Sequence, residues 1–209
     1  DKAKSDYFVQ EIAGKRKAFY RTLYWDTADA QMYIIHHDRK LNRQKIRVRE
    51  YVESNLTFLE IKNKSNKGRT KKIRISVPDE NIKSHEDAVD FINKSAKYGI
   101  DEISGRLRNQ FSRITLVNKG KTERLTIDIS IKFENCVTGN KNTIPALCIV
   151  EVKRDGNVYS PFTSYMADFR IKKKSISKYC LGMILTDPGL KKNRFKMKLR
   201  YIEKMLSKK

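Results

Sequence analysis

Charged side chains recur at every second position inside stretches that otherwise read as β-strand. In "LTFLEIKNK" (56–64), Glu60, Lys62 and Lys64 alternate with Leu59 and Ile61, so one face is ionic and the other aliphatic. "KIRVREYV" (45–52) sets Arg47, Arg49 and Tyr51 against Ile46 and Val48, and "KKIRISV" (71–77) sets Lys72, Arg74 and Ser76 against Ile73, Ile75 and Val77. "FSRITLV" (111–117) carries Arg113 opposite Ile114 and Leu116. "RLTIDISIKF" (124–133) opposes Arg124, Thr126, Asp128, Ser130 and Lys132 to Leu125, Ile127, Ile129, Ile131 and Phe133. "ALCIVEVKR" (146–154) places Glu151 and Lys153 opposite Val150 and Val152. Arginine presents planar donors that bind two phosphate oxygens at once, and lysine acts as a point charge. A few carboxylates among such cations suit a divalent metal. The chemistry these residue types fit is capture of a multiply charged phosphoanion.

One charged row on one strand is most simply a solvated row, the wet side of an antiparallel sheet. The repetition of R-x-R, K-x-K and isolated arginines, accompanied by Glu60-x-Lys62 and Glu151-x-Lys153, weakens that reading for the set. An α+β fold explains it better: an antiparallel β-barrel tunnel with its ionic faces turned inward and its aliphatic faces packed outward against helices. "KIRVREYV" and "LTFLEIKNK" are predicted to form a hairpin across Glu53 to Asn55. "SHEDAVDFINKSAKYG" (84–99) is predicted helical, with Ser84 and Asp87 as a capping box, Ala88, Phe91, Ile92 and Ala96 as its apolar stripe, and Gly99 at its end. A short helix is expected within 172–185. Residues 190–209 are expected to hold a basic C-terminal helix whose Phe195, Leu199, Ile202 and Leu206 pack on the domain. No Pro/Ser-rich linker or internal repeat divides the chain, so residues 1–209 are read as a single domain.

The totals point the same way. Lys and Arg number 46 against 24 Asp and Glu, a formal net charge of +22 that opposes compaction unless a polyanion joins it. Nucleic acid, a membrane surface, nucleotides and inorganic phosphates all meet that condition. Cys136, Cys148 and Cys180 are odd in number and lack C-x-x-C spacing, which disfavours a disulfide framework or zinc site and suits a reducing cytoplasm. His36, His37 and His85 have no metal-ligand spacing and are expected at the surface or in turns. No apolar run approaches the ~18–20 residues that span a bilayer, and no signal-peptide pattern opens the chain. Because it opens at Asp1, a preceding segment is expected.

The motifs "TLYWDT", "KIRVREY", "FLEIKNK", "SRITL", "RLTIDISI", "IVEVK" and "SISKYCLG" occur here in order between Tyr20 and Gly182. Together they resemble the catalytic domain of the vacuolar transporter chaperone (VTC) complex and its bacterial relatives, within the triphosphate tunnel metalloenzyme superfamily. That resemblance implies an eight-stranded antiparallel tunnel binding a nucleotide triphosphate with Mn²⁺ or Mg²⁺. It implies a polyphosphate polymerase, moving the terminal phosphoryl group of ATP onto inorganic polyphosphate. By motif position Arg47, Arg49, Lys62, Lys72, Arg113, Arg124 and Lys178 would bind phosphates, and Glu151 the metal. Lys153, Glu60 and Asp128 are in register with the same face as charge partners, Lys153 also as a phosphate ligand. The family's opening strand has no match ahead of Tyr20 and is expected to be missing or degenerate. The resemblance also places the chain in the cytoplasm, at the cytosolic face of a membrane if a membrane-embedded partner or domain lies outside it.

Phosphoryl transfer asks mainly for positioning and charge neutralisation, so the lack of a Ser–His or Cys–His nucleophile is no obstacle. Other readings are a metal-dependent triphosphatase or nucleotide hydrolase of the same fold, and a non-catalytic polyphosphate-binding module. A nucleic-acid-binding domain fits least, since no helix-turn-helix, zinc-finger or aromatic RNA-binding signature is present.

Overall fold

A computed structural model describes residues 2–154 and 156–207. Its strands are β1 (Tyr7–Val9), β2 (Ala18–Thr27), β3 (Arg43–Tyr51), β4 (Leu56–Lys64), β5 (Thr70–Ser76), β6 (Ile103–Asn118), β7 (Glu123–Asn135), β8 (Lys141–Ile144) and β9 (Ile149–Arg154). Its helices are α1 (Gln31–His37), α2 (Glu86–Ser95), α3 (Pro161–Asp168), α4 (Lys178–Thr186) and α5 (Lys196–Leu206). All strand pairs are antiparallel, in the order β5-β4-β3-β2-β6-β7-β8, with β1 added to β6 and β9 to β7. The expected β3–β4 hairpin forms, with Tyr51 opposite Leu56.

The period-two patterns make the sheet two-faced. On the outer face Ile46, Val48, Leu59 and Ile61 are buried with Leu23, Trp25 and Ile103, and Ala88 and Ile92 of α2 pack over them. The opposite face is concave and carries the ionic rows. The sheet curls far enough for Glu151 on β9 to feel the charge of Lys62 on β4, although four strands lie between them in the hydrogen-bonded order. This is the antiparallel tunnel with outer helices that the strand patterns predict. The wall differs from a fully hydrogen-bonded barrel: among the described residues β5 pairs only with β4, and no ladder joins it to β8 or β9.

A β-bulge interrupts the most regular alternation in the sequence. Ser112 pairs with Ile129 and Gln110 with Lys132, so Ser130 and Ile131 both stand against Phe111. Ser130 takes a left-handed φ of 55° to make the extra step. The phase therefore flips: Leu125, Ile127 and Ile129 share one face as predicted, but Ile131 and Phe133 cross to the face of Asp128. There they join Leu107, Phe111, Tyr20 and Tyr24 in a second core, covered by α4. Gly182 is where α4 comes closest, since a Cβ there would lie 2.5 Å from both Leu107 and Phe133. Ser177 caps α4 by accepting from the Cys180 amide.

Several local expectations are corrected. α2 starts at Glu86 with His85 as an uncapped N-cap, so the Ser84/Asp87 box does not form; Ser84 instead lies in a 3₁₀ turn and bonds Asn81. α2 ends at Ser95, and Gly99 opens the next turn, its amide donating to the Glu102 carboxylate. Ahead of β2, the three-residue strand β1 pairs with β6, and the expectation of a missing or degenerate opening strand is not among those corrected. The C-terminal helix is confined to Lys196–Leu206 and packs on the domain through Phe195 and Ile202, as its stripe predicts. Two of the histidines are not surface groups. His37 is buried and bonds Asp38 and the Arg194 amide, while His36 contacts the buried Cys180 thiol. Among the described residues no helix is long and apolar enough to cross a membrane.

Candidate functional site

The concave face gathers side chains from seven strands and α4. Adjacent β3 and β4 are in register so that Arg47 stands opposite Glu60, Lys45 opposite Lys62 and Arg49 opposite Phe58. Arg47 binds Glu60 through Nε at 2.7 Å and a terminal nitrogen at 2.6 Å, and Lys72 of β5 reaches the other Glu60 oxygen at 2.9 Å. Glu60 is thus an acid shared by two cations. Burial alone would raise its pKa, but Arg47, the Lys72 hydrogen bond and Arg49 outweigh that and hold it at about 2.

On the facing wall, β6 and β7 make a second node of the same design. Arg113 grips Asp128 in bidentate fashion, at 2.6 and 2.8 Å. Lys178, the first residue of α4, donates to the same carboxylate. Burial pushes the Asp128 carboxyl upward, yet Arg113 and Lys178 prevail and its pKa falls below the ordinary value. Lys178 itself is lowered by burial, against the pull of Asp128. Aromatic rings support the cations: Arg113 lies 5.0 Å from the Tyr20 ring centroid, Lys178 lies 4.6 Å from that of Phe111, and Arg49 is 5.7 and 5.6 Å from both rings.

Arg49 is the most enclosed of the predicted phosphate ligands. Its Nε donates to Thr22, and burial, with Arg47 adjacent, lowers its pKa to about 10. Arg47 moves the other way, because Tyr24 and Glu60 outweigh its burial. Lys62 stays open to the channel, yet the surrounding protein and then Arg47 lower its pKa. Tyr24 reports the local field: burial would raise its phenol, but Arg47, Arg49, Lys45 and Lys178 lower it on balance. A site that eases a proton off a buried phenol also stabilises the charge of a bound anion.

Glu151 differs from the two shared acids. Its side chain is exposed, and its contact with Lys153 is 3.5 Å long. Burial acts to raise its pKa, but Lys153, Lys62 and Arg113 lower it, so the carboxylate is ionised toward the channel. Opposite it in register is Thr126, and Arg124 stands opposite Lys153, both exposed on the same face. The structure thus brings Arg47, Arg49, Lys62, Lys72, Arg113 and Lys178 together around Glu60 and Asp128. Arg124 and Lys153 stand farther along the same face, toward the start of β7.

Among the described residues no three His, Cys, Asp or Glu side chains cluster for a metal. Because Glu60 and Asp128 are each occupied by two cations, Glu151, held by one long contact to Lys153, is the acid in this set with an oxygen to offer a metal. That donor set fits Mg²⁺ or Mn²⁺ carried by a phosphate ligand, since such hard ions take one or two carboxylates and fill their shells with phosphate oxygens and water.

Lys45 belongs to the constellation but was not singled out from the sequence. It is lowered by burial and donates to Ser177 at 2.9 Å, tying β3 to the start of α4. Its signal was present, because Lys45, Arg47 and Arg49 continue one period-two row. The roles of Tyr20, Tyr24 and Phe111 had no such signal, since aromatic residues inside strands are ordinarily core.

The family model described as VTC domain matches residues 2–186. No curated protein matches the sequence. Among solved structures, HpAC1 of Hippeastrum, an adenylyl cyclase candidate described as having a dominant triphosphatase activity, is 16% identical with TM-score 0.48, covering 82% of this chain and 84% of that one. An adenylate cyclase candidate from Vibrio parahaemolyticus is 9% identical with TM-score 0.47, covering 86% and 87%. The PH1819 protein of Pyrococcus horikoshii OT3 is 10% identical with TM-score 0.46, covering 88% and 90%.

Proposed function

The chain belongs to the VTC domain family, and from that membership and the channel geometry we propose that it is a polyphosphate polymerase. It would transfer the terminal phosphoryl group of ATP to a growing inorganic polyphosphate chain, with residues 1–209 acting as one unit. The observation that carries this reading is the convergence of Arg47, Arg49, Arg113 and Lys178 on one face around two acids that are already shared.

In this reading Arg47, Lys62 and Lys72 hold phosphate oxygens from one wall, and Arg113 and Lys178 from the other. Their charge stabilises the equatorial oxygens as the bond to the leaving phosphate breaks. Glu60 and Asp128 keep the cations apart and aimed inward, so little reorganisation is needed when the anion arrives. Arg49, held against the stacked Tyr20 and Phe111 rings, contributes fixed positive potential more than a mobile contact. Arg124 and Lys153 guide the chain farther along the channel. Glu151 would hold Mn²⁺ or Mg²⁺, which supplies charge neutralisation across adjacent phosphates when bound. The acceptor is an anionic phosphate oxygen, so no strong general base is required. The partners are ATP and inorganic polyphosphate, without specific nucleic-acid recognition. A cytoplasmic site of action, beside a membrane-embedded partner or domain, follows from the family resemblance.

Incubation with ATP and Mn²⁺, followed by gel staining for polyphosphate and assay of ADP and free phosphate, tests the reading. Long polymer with stoichiometric ADP is expected. Free phosphate without polymer would instead make the chain a triphosphatase, and tight polyphosphate binding without turnover a binding module.

A further inference from the structure

Outside the channel, over the ends of β3, β4 and β5, lies a cavity of about 520 Å³ that the chemistry above does not use. Arg43, Lys64, Arg69, Lys71 and Lys97 line it, and none of its lining residues is acidic. Met32 and Tyr98 contribute apolar surface, and Lys97 lies 5.3 Å from the Tyr98 ring. The walls are tied together, because Gln44 donates to Asn63 at 2.7 Å and accepts from the Lys97 amide at 3.0 Å. The groove therefore exists before any ligand arrives.

Two of its cations, Arg43 and Lys64, continue rows that begin inside the channel. Lys45 and Lys62 face one another, and Arg43 and Lys64 form the next pair on the same face. That is one two-residue step, about 7 Å, toward the strand ends. Lys62 also stands opposite Lys72. Like charges directly opposite one another destabilise a sheet. Deeper in the channel Glu60 and Asp128 offset this repulsion, whereas the Arg43–Lys64 end opens onto a cavity without an acid. An anion is the missing counter-charge, and a long one would touch the interior and exterior cations together.

We propose that this cavity docks the already polymerised part of a linear polyphosphate chain where it leaves the channel over the ends of β3 and β4. The inference rests on the polymerase reading and adds to it a path beyond the channel. Point charges on exposed lysines, with no shared acid to lock them, suit a chain that slides.

The test compares equilibrium binding of inorganic triphosphate and long-chain polyphosphate to the wild type and to the combined Arg69→Glu, Lys71→Glu, Lys97→Glu variant. All three residues are exposed, so the fold is expected to survive, and a matching thermal melt checks this. Long-chain affinity should fall about tenfold or more, with a weaker salt dependence, while triphosphate affinity stays within about twofold. The single Lys97→Met variant should show a smaller loss of the same selectivity. Unchanged long-chain affinity, or a parallel loss for both ligands, would overturn the groove while leaving polymerase activity of the wild type intact. A wild type that binds long chains no better than triphosphate and makes no polymer would remove the polymerase reading and this inference together.

Discussion

The acids of the channel fall into two kinds. Glu60 and Asp128 have side chains only 1% and 3% exposed, and each is gripped by two cations at hydrogen-bonding distance. Glu151 is 56% exposed and meets one lysine at 3.5 Å. In sequence all three look alike, an acid in an alternating row that also carries bases, at Lys62, at Arg124 and Lys132, and at Lys153. Their surroundings assign different work. A carboxylate locked between two cations keeps those cations in place without being free for a ligand, while a loosely paired one retains lone pairs for a metal.

Removing a buried acid should have the largest effect. Asp128→Ala leaves Arg113 and Lys178 enclosed without their shared partner, and is expected to cost about 3–5 kcal/mol in urea unfolding. If stability barely changes, the two-cation node is not structural and the comparison fails. Acid should act on Glu60 in a related way. Its folded pKa of about 2 lies below its ordinary 4.5, so its contribution is complete above pH 4.5 and disappears as pH falls toward 2. That contribution is roughly 3 kcal/mol, and Glu60→Gln should flatten the pH dependence of stability across this window.

Glu151→Gln should show the opposite profile. Metal-dependent turnover is expected to fall by about a hundredfold, near 2.7 kcal/mol in barrier, with stability unchanged within about 0.5 kcal/mol. Full turnover with Mn²⁺ in that variant would remove Glu151 from the metal site. The smallest effect is expected from Ser177→Ala, which removes the α4 cap and the partner of Lys45. About 1 kcal/mol of stability should be lost, with a modest decline in phosphate affinity because Lys178 follows directly.

Much of this arrangement was legible in the sequence where strands alternate cleanly. Arg47, Lys62 and Lys72 share a face because period-two spacing leaves them no other choice, and the aliphatic partners Ile46, Leu59 and Ile61 are fully buried as the pattern requires. The same rule failed beyond Ser130. The bulge there costs one residue of register, and the demand it meets comes from α4, whose packing surface needs Ile131 and Phe133 on the inner side. The histidines were misplaced for a comparable reason: His37 is buried by Phe195, far along the chain, against which its ring packs at 5.6 Å. The capping box at Ser84 was plausible locally but yielded to a 3₁₀ turn held by Asn81.

By itself the sequence determined that many cations would share sheet faces with a few acids, because side-chain alternation is a local property of extended backbone. Which acids became locked and which stayed open was decided by the curl of the sheet and the docking of α4. Those bring β4 near β9 and Lys178 onto Asp128, over separations at which no local spacing rule acts.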